Sequence, residues 1–172
     1  VAGKDDRHHD RYQQRHFECP PEVWVAPASP GIFTFSFGPG AGIVQNFKLT
    51  AEDDILAGSF AQPDGFIPGV PAQPAAIGGV IILWSNGLGP LNMPVATGEA
   101  SGAENPILFA EKIVRVFIGG QEAQVLAAFL QQTNVGLNQI NVQVAEGTPS
   151  GRQSIVFSTY GVSSNTSLIW IK

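Results

Sequence analysis

The sequence predicts an all-β protein, an antiparallel β-sandwich carrying an extended N-terminal arm. Three observations carry this expectation. The last third, Val135 to Lys172, consists of alternating apolar and polar runs separated by turn residues. A period of two places apolar side chains on one face of each strand and polar ones on the other. Gly (20) and Pro (13) are abundant while charged residues make up only 13%, about half the ordinary globular share. That balance favours short strands and tight turns over helices. Finally, 44% of the 172 residues are hydrophobic, enough to bury a core without disulfides or metal.

Residues 1–22 stand apart as a charged arm. They hold Lys4, Arg7, Arg11, Arg15, five acids and all three histidines, with almost no apolar periodicity and a stop at Pro20-Pro21. Alone, such a segment is a flexible or partly helical extension; if ordered, something must grip it. The remainder, 23–172, reads as one sandwich domain in which a strand-rich portion, 23–65, packs with 66–172. Its first strand is Val23-Trp24-Val25, followed by the turn-rich APASPG. Ile32–Phe37 alternates with period two and is closed by Gly38-Pro39-Gly40. Ile43–Leu49 ends at the acidic Glu52-Asp53-Asp54, and Ile55–Phe60 leads into a Pro/Gly-rich loop from Gln62 to Pro74. Ile77–Ser85 is a nearly all-apolar buried strand, ended by Asn86-Gly87.

Residues 89–106 form a long connection rich in Gly, Pro and Ala, running over the surface from Pro94 to Pro106. Lys112–Ile118 and Ala123–Leu130 flank Gly119-Gly120, a two-residue hairpin turn. Gln139–Ala145, Gln153–Tyr160 and Thr166–Ile171 complete the sheet. Ala123–Leu130 has continuous apolar residues that would also suit a helix. At eight residues between Gly-rich turns, it is expected to be a strand.

The charge balance narrows the partners. A net charge of −5 argues against nucleic acid and against anionic membrane surfaces, which both need clustered Lys and Arg. No apolar stretch reaches the ~18 residues of a membrane span, so no membrane insertion is expected. The opening VAGKDD shows no signal peptide, which is compatible with the mature product of a precursor whose signal was removed. A weakly charged β-protein decorated with Gly, Thr, Asn and Gln suits the outside of a cell or cell surface. It equally suits a subunit whose faces are covered by copies of itself. Cys19 is the single cysteine, so it makes no internal bridge. It is either an inert packed thiol or a site of intermolecular pairing.

No residue grouping points to catalysis. Nucleophilic chemistry needs a base beside the nucleophile, yet no histidine follows His16 and no G-x-S-x-G elbow is present. Only nine acids follow residue 22, most beside turns, which argues against the facing carboxylates of a glycosidase. His8, His9 and His16, with Asp5, Asp6 and Asp10 nearby, lack the i, i+4 pairing of a zinc site and read as a solvated arm. Glu52-Asp53-Asp54 lacks the D-x-D-x-D-G spacing of a calcium loop and reads as a charged hairpin turn. No metal site, catalytic residue or cofactor is therefore expected. Carbohydrate binding would use exposed aromatics. Trp24, Trp84 and Trp170 sit in strand patterns where core burial is expected, while Phe60, Phe66 and Phe109 border loops and suit a binding surface better. Asn165-Thr166-Ser167 fits the short N-glycosylation pattern.

From about Val25 onward the chain resembles the Solibacter-type C-terminal domain family found at the ends of secreted acidobacterial proteins. The carrying segments are Val25–Thr34 (VAPASPGIFT), Gly87-Leu88-Gly89-Pro90, Val116–Gly120 (VFIGG), Val135–Val142 (VGLNQINV) and Gly161–Thr166 (GVSSNT). They span roughly 150 residues. The resemblance implies an immunoglobulin-like sandwich of the IPT/TIG kind, with roles in adhesion, spacing and partner binding and with no reaction. In that family the domain usually ends a much longer protein and is often preceded by another sandwich. Here the charged arm stands in that place, and Val23-Trp24-Val25 falls where a preceding sandwich would put its last strand.

Together these features lead to two expectations of function. The first is a non-catalytic extracellular structural protein, a self-assembling filament or surface-layer subunit. Its arm and first strand (Tyr12, Phe17, Cys19, Val23, Trp24 and Val25) would contact a neighbouring copy. The second is an adhesion module that binds surface polysaccharide or another protein.

Overall fold

The computed structural model describes residues 25–36, 40–49, 55–101 and 114–172. Among them the chain forms strands and no helix: β1 (Gly31–Ile32), β2 (Val44–Leu49), β3 (Ile55–Phe60), β4 (Val80–Asn86), β5 (Arg115–Ile118), β6 (Gln121–Leu130), β7 (Asn138–Gln143), β8 (Gly151–Thr159), β9 (Val162–Ser163) and β10 (Ser167–Ile171). They join in a single curled antiparallel sheet, a half-barrel, in the order β10-β8-β5-β6-β7-β4-β2-β3, with β1 beside β4 and β9 beside β8. The all-β class expected from composition and period-two patterning is what the chain adopts.

The curl has a local cause in β6. Gln121–Ala123 pair with β5, and Gln124–Leu130 pair with β7. Between Val125 and Ala127 the register slips by one residue, leaving Leu126 as the extra member of a bulge, and its side chain is 48% exposed. A bulge bends its strand and sharpens the twist, so the sheet turns a corner where β6 changes partners. The β5–β6 hairpin closes through Gly119 and Gly120, both at positive φ (57° and 81°), as a two-residue turn matching the strand twist demands.

Inward-facing side chains make one continuous core. Ile81 and Leu83 of β4, Val116 and Ile118 of β5, Ile140 and Val142 of β7, Ile155 and Phe157 of β8, and Ile169 and Ile171 of β10 are all buried in it. Two buried polar groups are tied to main chain: Thr159 Oγ1 donates to the Leu88 carbonyl (3.0 Å), and Asn138 Oδ1 accepts the Leu88 N–H (3.4 Å). The buried hydroxyls of Ser85 and Thr148 have no hydrogen-bond partner among the described residues.

The edge of β10 away from β8 is not left open. Leu168 N–H donates to Gly40 O (2.7 Å), and Leu168 O accepts the Gly42 N–H (3.0 Å). Further along, Trp170 N–H donates to Ala61 O (2.9 Å), Ala75 N–H to Trp170 O (2.7 Å) and Lys172 N–H to Ala75 O (2.8 Å). The last strand is thus clamped between β8 and the segments flanking β2 and β3. This removes the unpaired donor and acceptor row that makes a sheet edge adhesive.

Several expected boundaries move. Val25 is not in a strand and is 86% exposed, while Val23 and Trp24 lie outside the described residues. Of the expected Ile32–Phe37 strand, Phe37 lies outside the described residues, and the rest reduces to Gly31–Ile32 plus one bridge between Thr34 and Gly42. The alternation is there, but β4 is met only by Gly31 and Ile32 in register and by the Phe33 N–H, which donates to the Trp84 carbonyl. β4 begins at Val80, not Ile77, because Gly78 is at positive φ (74°). β9 was not anticipated. The Ala123–Leu130 segment is a strand as expected, and the 89–101 portion of the long connection contains no extended strand.

Candidate functional site

The site is assembled on the outer face of β10. Ser167, Ile169 and Ile171 point into the core, so alternation turns Leu168 and Trp170 outward, where both are half-buried. Trp170 stands directly opposite Arg152 of β8, and Leu168 opposite Ser154. Side chains of such pairs share a face. On the other side of β10 the Gln62–Phe66 turn folds over. The result is a groove of about 300 Å³ lined by Ala41, Gln62, Pro63, Phe66, Arg152, Leu168 and Trp170.

Three features give the groove chemistry. The first is aromatic surface: Trp170 lies along the strand and Phe66 on the opposing turn. Phe66 is held by Phe35, whose ring meets it edge-on at 6.1 Å and meets Phe60 edge-on at 5.1 Å. The second is Gln62, only 2% exposed. Its Nε2 donates to the Leu168 carbonyl at 2.9 Å. A carbonyl only accepts, so the amide is fixed with nitrogen toward β10. Its Oε1 accepts no hydrogen bond among the described residues and is not among their enclosed, unpartnered atoms. The third is Arg152, exposed and without an ion pair among the described residues.

Two comparisons within the molecule set these groups apart. Arg115 is engaged: its guanidinium grips Glu122 through two bonds (2.8 and 2.9 Å) and lies 5.2 Å over the Phe117 ring. The hydrogen bond to Arg115 holds the Glu122 carboxyl below its usual range and raises Arg115 in turn. Trp84, on the outer face of β4, donates its indole N–H to Gln45 Oε1 at 2.6 Å. The Trp170 indole N–H donates to no described residue.

The sequence-expected sites fare unevenly. Phe66 lines the groove, and Phe60 touches it indirectly through Phe35. Core burial expected for Trp84 and Trp170 is corrected: both are half-buried on outer faces, because their strand neighbours Leu83, Ser85, Ile169 and Ile171 take the inward positions. Asn165, of the glycosylation pattern, has its side-chain amide bonded to the Ile32 peptide. Trp24, Phe109, the arm residues Tyr12, Phe17, Cys19 and Val23, the histidine cluster and Glu52-Asp53-Asp54 lie outside the described residues. Among the described residues no group of three or more His, Cys, Asp or Glu comes together. Sequence reasoning missed Gln62, Arg152 and Leu168. The alternation in Ser167–Ile171, with Ile169 and Ile171 inward, held the signal for Leu168 and Trp170; nothing in the sequence brings Gln62 to them.

No family model, curated protein or solved structure matches the chain.

Proposed function

We propose that the chain is a non-catalytic, carbohydrate-binding adhesion module of an extracellular or cell-surface protein, folded as an immunoglobulin-like sandwich, with its ligand lying across β10. The observation that carries this reading is the combination in one groove of an outward Trp170, an opposing Phe66 and a fixed amide acceptor on Gln62. Pyranose rings present an apolar C–H face bordered by hydroxyls, and an aromatic plate beside fixed polar groups matches both parts. The corner in β6, which folds the sheet toward two layers, supports the sandwich form, as does the resemblance to the Solibacter-type domains. Affinity electrophoresis through gels containing different polysaccharides tests the reading. The chain should be retarded in at least one gel, and Trp170→Ala should restore free migration with an unchanged circular dichroism spectrum. Equal migration of both proteins in every gel would rule it out.

Self-assembly, with residues 1–26 packed on a neighbouring copy, has one observation in its favour among the described residues. The cross-strand rows Gln45–Ile82–Asn141–Ala127, Trp84–Gln139–Phe129 and Val80–Gln143–Gln124 form a sheet face without an ionisable side chain, in which Ile82 and Gln139 are buried and the other members are half-buried or exposed. Amides both donate and accept, so such a face can meet a copy of itself without charge conflict. Sedimentation velocity of the full chain and of a chain lacking residues 1–26 tests this. A full chain that sediments as a monomer at all concentrations would exclude it.

A further inference from the structure

We infer that the sugar held in this groove is an acidic one, its ring on Trp170, its anionic group on Arg152 and one hydroxyl donated to Gln62 Oε1. The inference rests on the carbohydrate-binding reading and adds a ligand class to it. Each part follows from a group left without a partner. Arg152 is a guanidinium on an acidic chain of net charge −5, and no described carboxylate pairs with it. Among the described residues no acid lines the groove; Asp64, the nearest in sequence to Gln62, follows Pro63 and is exposed.

A guanidinium is a planar fork of donors that matches a carboxylate or sulfate through two parallel hydrogen bonds. Its place directly across from Trp170 puts its side chain on the same face beside the aromatic plate, with the fork within reach of the plate's edge. There the exocyclic acid of a uronate, or a ring sulfate, would project from a stacked pyranose. Gln62 supplies what a hydroxyl needs. Its nitrogen is committed to Leu168, so the site offers an acceptor there and selects a donor. An acceptor that a bound ring closes off from water and leaves unmatched is costly, which makes this contact discriminating. The half-exposed Trp170 indole N–H adds a donor for a ring or hydroxyl oxygen. A ligand without a charge would leave Arg152 idle, and one without hydroxyls would leave Gln62 Oε1 unmatched.

The test is titration calorimetry of the full chain against oligouronates, the same oligouronates fully methyl-esterified, sulfated oligosaccharides and neutral oligosaccharides. Methyl esterification removes the charge and keeps the ring. An acidic oligosaccharide, uronate or sulfated, should bind about tenfold or more tighter than its ester or neutral counterpart. Arg152→Gln should erase that difference while leaving the weaker neutral binding in place. Arg152→Lys should recover only part of it, since a point charge lacks the fork. Tighter binding of the sulfated ligand than of the uronate would support the inference and identify the anionic group. Equal affinity for acid and ester, unchanged by Arg152→Gln but lost in Trp170→Ala, would overturn it and leave the carbohydrate reading standing. Failure of every oligosaccharide to bind would overturn both.

Discussion

Asn165 and Ile32 are joined as two strands would be. The Asn165 amide donates from Nδ2 to the Ile32 carbonyl (3.1 Å) and accepts the Ile32 N–H on Oδ1 (2.7 Å). A side chain from the turn before β10 thus completes the pairing of β1, whose backbone is otherwise bonded to β4. The same Nδ2 would be the attachment point of an N-linked glycan, and it is already committed.

Asn165→Ala should therefore cost about 1–2 kcal/mol, the worth of two partly exposed hydrogen bonds, and should release β1 locally. Urea unfolding measures the first and hydrogen exchange at the Ile32 amide the second. Unchanged exchange at Ile32 would mean that β4 alone holds β1.

Gly87 sits at φ +68°, and a Cβ there would lie 1.9 Å from the Ser29 carbonyl oxygen. Its own carbonyl accepts the Ser29 N–H at 3.0 Å, so the two backbones cannot separate without losing that bond. Gly87→Ala should cost about 3 kcal/mol or more through combined strain and overlap. Gly136→Ala, at a positive φ but facing open space, should cost less, about 1 kcal/mol. Thermal unfolding of the two variants side by side checks the order.

The Arg115–Glu122 pair makes stability depend weakly on pH. Glu122 is held below its usual value by the Arg115 hydrogen bond, so its contribution is present above the unfolded carboxyl value of about 4.3. That contribution disappears as pH falls through the lower folded value. Both groups are exposed and screened, so the effect is small and should shrink further in salt. The urea midpoint of Glu122→Gln should lie slightly below that of the parent at pH 7 and meet it near pH 3. A gap that persists at pH 3 would show that the glutamine itself is at fault.

Trp84 and Trp170 should behave oppositely in binding. Trp84→Phe loses the 2.6 Å bond to Gln45, about 1 kcal/mol of stability, but should preserve the fluorescence change on adding a ligand. Trp170→Phe should abolish most of that change with little loss of stability, since its indole N–H holds no described group. Retention of the full change in Trp170→Phe would place the ligand elsewhere.

Much of this architecture was legible from local pattern. β2, β3, β8 and β10 fall within a residue or two of the expected runs, because a period of two can satisfy a half-buried strand and little else; β6 was placed by its length between Gly-rich turns. Gly119-Gly120 named its own hairpin, since consecutive residues at positive φ are what a tight twisted turn requires. Low charge was equally visible, being a count.

What tertiary structure decided is who stands next to whom. Ile32–Phe37 has the alternation of a strand, yet β4 pairs with only its first residues, so strand length was set by the available partner. The bulge at Leu126 bends β6 between two partners, and no residue type marks it. The groove joins Gln62 to Leu168 and Trp170, more than a hundred positions away, through one amide–carbonyl bond of 2.9 Å and the clamping of β10 by Gly40, Ala61 and Ala75. Sequence determined which faces are apolar, because that depends on neighbours along the chain. Only the closing of distant segments around the last strand determined which polar groups were left without partners among the described residues, and those carry the proposed binding.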